Sequence, residues 1–73
     1  MGIDARTVGA AMRRARQRRG LTIKELSAAA GVSYNTICLN ETGRHLPDLY
    51  NLIVLADALG VTLDEYVGRV CNG

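Results

Sequence analysis

Hydrophobic and polar positions along this chain fall into a succession of helical stripes punctuated by glycine, with no alternating run that reads as a strand. From about Asp4 to Arg19, Val8, Met12 and Ala15 recur at helical spacing among arginines, and Gly20 stops the pattern. The next stretch, "LTIKELSAAAG", places Thr22 and Glu25 at the spacing of a capping box, in which hydroxyl and carboxylate each satisfy a free backbone donor; it ends at Gly31. A third stretch opens at Ser33, a good helix cap, and closes near Gly43. Pro47 and Asp48 start a fourth, in which Leu49, Leu52, Ile53, Leu55, Ala56 and Leu59 surround most of the helix before Gly60, so it is expected to be the central buried one. A fifth repeats the capping box as Thr62 and Glu65 and presents Leu63, Tyr66, Val67 and Val70. The expectation is an all-α, compact five-helix fold over residues 1–73, in one domain.

The third stretch is odd for an amphipathic helix. Turned at about 100° per residue with Ile37 facing inward, it places Ser33, Tyr34, Asn40 and Glu41 within about 60° of the core direction. Asn35 and Leu39 then point roughly the opposite way, with Cys38 to the side. A leucine faces water and an asparagine faces the core.

Length and composition narrow the classes. A chain of 73 residues buries only about 60% of its unfolded surface, which makes a partner plausible. No apolar run approaches the roughly 20 residues that cross a bilayer, and the first residues lack the apolar centre of a signal peptide, so a cytoplasmic protein is expected. Cys38 and Cys71 are too few and too distant for a metal framework, and His45 has no second ligand at metal spacing; no metal or cofactor is expected. No nucleophile and base are placed together, so an enzyme is not expected.

The net charge of +2 conceals an asymmetry: Arg6, Arg13, Arg14, Arg16, Arg18, Arg19 and Lys24 face only Asp4 within residues 1–24, whereas the remainder is net acidic. Such a run is commonly a solvated helix face, but it also suits a polyanion.

Two short helices joined by a glycine-containing turn form a helix-turn-helix, whose second helix can enter the DNA major groove. The pieces "RRGLT", "KELSAAAGVSYNTI", "ETGR", the proline, aspartate and leucine at 47–49, and "LADALGVTLDEY" stand in an order that resembles the phage repressor and Cro helix-turn-helix family, called XRE, over Val8 to Val67. The resemblance implies a lambda-repressor-like fold, a helix over 33–42 that reads double-stranded DNA, and a Cro-like repressor. It also implies an ion pair of Arg16 with Glu41 linking the first and third helices. Two positions depart from the family: Asn40 stands where a large apolar residue is usual, and Ile23 where a glutamine usually reaches a phosphate.

On this reading, Tyr34, Asn35, Leu39 and Cys38 are the candidate base contacts. Asn35 suits bidentate pairing with adenine, and Leu39 suits the thymine methyl group. Thr22, Ser33, Thr36, Thr42, Arg44 and His45 are candidate phosphate contacts. For Thr22, Thr42, Arg44 and His45 a cap or loop role is the plain alternative. Asn40 is expected to hydrogen-bond to backbone or to sit partly wet, because a buried amide without partners costs about 1–3 kcal/mol. Leu63, Tyr66, Val67 and Val70 form a candidate homodimer contact, or else simply close the monomer core. The rival to DNA binding is a protein-interaction module, an antitoxin or adaptor presenting Tyr34 and Leu39 to another protein.

Overall fold

A computed structural model of the chain describes residues 4–62. These hold four α-helices: α1 (Ala5–Arg18), α2 (Ile23–Ala30), α3 (Tyr34–Glu41) and α4 (Leu49–Leu59). No strand is present among the described residues. The all-α class is as expected, and the expected fifth helix, with Leu63, Tyr66, Val67 and Val70, lies outside the described residues.

Each helix begins at a side chain that takes over the first free N–H groups. Asp4, Thr22, Ser33 and Asp48 each accept a hydrogen bond from the backbone N–H three residues ahead, on Thr7, Glu25, Thr36 and Asn51. At α2 the capping box is complete: Glu25 also accepts from the Thr22 N–H at 2.8 Å. The elements therefore start where the sequence places the signals, because the signals are local.

The core comprises Val8, Met12 and Ala15 from α1, Leu26 from α2, Val32 from the turn, Ile37 from α3, and Leu55, Ala56 and Leu59 from α4. α3 is held between α1 and α2, and α4 packs on α2. Between α2 and α3 the chain turns at Gly31, whose φ of 72° is open to glycine at no steric cost. Ser27 reinforces the turn by donating its hydroxyl to the carbonyl of Val32.

One expectation fails at α4. Rather than being buried all round, it buries one stripe, Leu55, Ala56 and Leu59, while Leu49 and Tyr50 remain 66% and 72% exposed and Ile53 is exposed beside them. Among the described helices α2 is its main neighbour, so the inward stripe is buried and the opposite one is left open. Leu46 extends this outer apolar strip into the preceding loop.

Candidate nucleic-acid interface

The candidate interface is built on α3 and the loop after it. Ile37 is fully buried and fixes which side of α3 faces inward. Tyr34 and Asn35 are then exposed at the start of the helix, Tyr34 at 55%. Thr36, Cys38 and Leu39 are half-buried. Leu39 is more sheltered than a helical wheel suggests: it lines a shallow groove with Thr36, Asn40, His45, Leu46, Pro47, Asp48 and Asn51.

Two polar contacts fix the far end of α3. The guanidinium of Arg16 donates to both carboxylate oxygens of Glu41, at 2.7 and 2.9 Å, and also to the backbone carbonyl of Leu21 at 2.9 Å. The pair is largely withdrawn from water, its side chains 12% and 5% exposed, and its fork geometry matches a carboxylate. The hydrogen bonds to Glu41 hold Arg16 more firmly protonated than usual. The expected pair thus exists as a bidentate, buried strut between α1 and α3.

Asn40 is 2% exposed, so it is not wet; its amide donates to the carbonyl of His45 at 2.9 Å. Backbone bonding is the half of the expectation that holds. The contact folds the loop back against α3, and the N–H groups of Arg44 and His45 close it by donating to the carbonyl of Leu39. Ile23, the other departure, packs against the core rather than reaching outward.

The phosphate candidates divide by what their side chains already do. Thr22 caps α2. Ser33 donates to the Thr36 hydroxyl at 2.8 Å, and Thr42 donates back to the carbonyls of Cys38 and Leu39. These bonds commit the Ser33 and Thr42 hydroxyl protons inside the chain. Arg44 and His45 keep their side chains exposed in the loop beside α3. The wider cationic surface of Arg13, Arg14, Arg18 and Arg19 lies on α1 and its end, where Arg19 also donates to the carbonyl of Leu59. The dimer candidates fall outside the described residues.

Sequence reading missed Gly9, which lies within α1 and is buried against α3. A signal was available: glycine inside a helix costs about 1 kcal/mol against alanine, and its presence there marks a close approach.

No helix among the described residues is long and apolar enough to cross a membrane, and none of their His, Cys, Asp or Glu side chains gather in threes as a metal site requires.

Comparison with known proteins bears on this geometry. A family model described as helix-turn-helix matches residues 12–66. The chain is 40% identical over 60 residues to an uncharacterized HTH-type transcriptional regulator, y4dJ, of Sinorhizobium fredii, a match covering 82% of this chain and 78% of that protein. It is 36% identical over 59 residues to the cryptic phage CTXphi transcriptional repressor RstR of Vibrio cholerae, covering 78% of this chain and 53% of the repressor, about half its length. Among solved structures, the restriction-modification controller protein C.AhdI of Aeromonas hydrophila superposes with a TM-score of 0.81 at 26% identity, over 85% of this chain and 94% of that one.

Proposed function

The chain belongs to the XRE-type helix-turn-helix family and is a DNA-binding transcriptional regulator; we propose that it acts as a Cro-like repressor whose α3 reads base edges in the major groove. The observation that carries the finer reading is the exposed edge of α3, Tyr34 and Asn35, on a helix pinned behind by Ile37 and braced by the Arg16–Glu41 strut. A rigid mount is what base readout requires, since hydrogen bonds to base edges tolerate little misplacement.

Asn35 pairs with a base, Tyr34 and Leu39 contribute apolar or edge contacts, and Cys38 borders them. Arg44, His45, Thr22 and Thr36 contact phosphates; Ser33 and Thr42 act through the helix ends that they shape. Readout uses no cofactor, metal or catalytic step, and the protein works in the cytoplasm.

The active species is a homodimer. One short helix reads few bases, and dimers of this class place two such helices about one helical turn of DNA apart. Leu63, Tyr66, Val67 and Val70 are its contact, and the exposed apolar side chains of Leu46, Leu49, Tyr50 and Ile53 support the reading, because exposed strips of this kind mark association surfaces.

The test is selection of bound duplexes from a random DNA pool, followed by affinity measurements across a salt series and sedimentation at micromolar concentration. A recovered two-fold repeat with steeply salt-dependent binding is expected. An empty selection with no binding at low salt would replace this reading with a protein-interaction module.

A further inference from the structure

We propose that Gly9 is a positioning residue for DNA readout: its missing side chain lets α1 seat directly on the backbone of Asn40 and Glu41, and this seat sets the angle at which α3 meets the bases. The inference rests on the reading of α3 as the recognition helix.

A Cβ at position 9 would collide with the carbonyl oxygen of Asn40 and would stand 2.9 Å from the carbonyl oxygen of Glu41 and 3.1 Å from its carbonyl carbon. These are backbone atoms, which cannot rotate aside as a side-chain tip can. Nor is the end of α3 free to relieve the overlap by sliding as a whole. The two residues resting on Gly9 are the same two whose side chains are bonded elsewhere, Asn40 to the His45 carbonyl and Glu41 to Arg16. Just past the end of α3 the approach recurs, since a Cβ on Gly43 would stand 2.8 Å from Cγ of Arg6. The end of α3 is therefore held by a carbonyl seat on one side and polar ties on the others.

α3 has only 8 residues, about two hydrogen-bonded turns, so a push on one end is carried along its length. A methyl group at position 9 pushes its last turn outward and tilts the helix about Ile37, which displaces Asn35 and Leu39 at the reading edge. A displacement of the order of 1 Å is enough to spoil a bidentate hydrogen bond. Attraction to phosphates, which is long-ranged and undemanding in geometry, survives such a tilt.

The experiment compares wild type, Gly9→Ala and Ala10→Gly for binding to the selected duplex and to random DNA, with melting curves for each. Ala10 is exposed on the same helix, and glycine there loosens α1 without altering the seat. Gly9→Ala is expected to lower the ratio of selected to random affinity roughly tenfold or more while random binding and its salt slope stay put. Ala10→Gly is expected to keep the ratio. If Gly9→Ala melts at the assay temperature, the comparison is repeated in the cold with a stabilising osmolyte.

A folded Gly9→Ala that keeps wild-type discrimination overturns the proposal. So does a loss shared equally by Ala10→Gly, or a Gly9→Ala that stays unfolded even in the cold, since either reduces Gly9 to a stability role. A wild type that selects no sequence would instead defeat the reading of α3 itself, which separates the two failures.

Discussion

The side-chain amide of Asn40 donates to the backbone carbonyl of His45 at 2.9 Å, while the amide's own oxygen, buried beside it, accepts no hydrogen bond from the described residues. An apolar position of the helix-turn-helix has thus become a latch for the following loop, and half of the latch is unsatisfied. Asn40→Leu keeps the branching of the side chain and removes the orphan acceptor. It is expected to stabilise the domain by about 1 kcal/mol, raising the melting temperature by roughly 4–8 °C in calorimetry. Faster amide exchange at Arg44 and His45 should accompany this gain, because the loop loses its tie.

The strut of Arg16 and Glu41 is expected to behave differently from a surface ion pair. Glu41→Ala leaves a guanidinium largely enclosed without its carboxylate, and the cost is about 2–4 kcal/mol in chemical denaturation. Arg16→Ala should cost a similar amount because it also strips the Leu21 carbonyl of its donor. Added salt should barely alter these losses, in contrast to an exposed pair.

Asn35 and Arg44 should fail in distinguishable ways. Asn35→Ala is expected to lower discrimination between selected and random duplexes by about 1–3 kcal/mol with little change in the salt slope.

Arg44→Ala should weaken binding to both duplexes alike and reduce the salt slope by about one unit. Fluorescence anisotropy across a salt series reads both quantities.

The cap of α1 gives a pH dependence of known sign. Donation from the Thr7 N–H is the main cause holding the Asp4 carboxyl below its ordinary value. The folded value is thus lower than the unfolded one, so the cap stabilises fully above the ordinary carboxylate range and is lost as pH falls through the depressed value. Asp4→Asn keeps an accepting oxygen but cannot titrate. Its melting temperature should therefore fall less steeply than wild type's between neutrality and about pH 2.

Much of the architecture was legible because its signals are short-ranged. The caps at Thr22 and Ser33 and the turn at Gly31 each act within a few residues, so reading the chain locally found them; Asp4 and Asp48 read only as places where helices begin, and the structure adds that their carboxylates cap them. Ile37 and the Arg16–Glu41 strut were legible by another route, through a family pattern that records long-range contacts. What escaped was the identity of neighbours. The apolar stripe of α4 read as buried all round, yet among the described residues Leu55, Ala56 and Leu59 join the core while Leu49, Tyr50 and Ile53 stay exposed. Leu39 read as bare, yet the loop through His45 and Leu46 shelters it. Gly9 was overlooked because a glycine announces only that something comes close, and never what.

The four side-chain caps have a consequence for the speed of assembly. Each helix carries its own start signal three residues from the group it satisfies, so its first turn can organise before any distant part of the chain arrives. Small domains bury little surface and are only marginally stable, so one this short opens from time to time. Local nucleation lets it snap shut within microseconds to milliseconds, leaving proteases and aggregation only a brief opportunity at each opening.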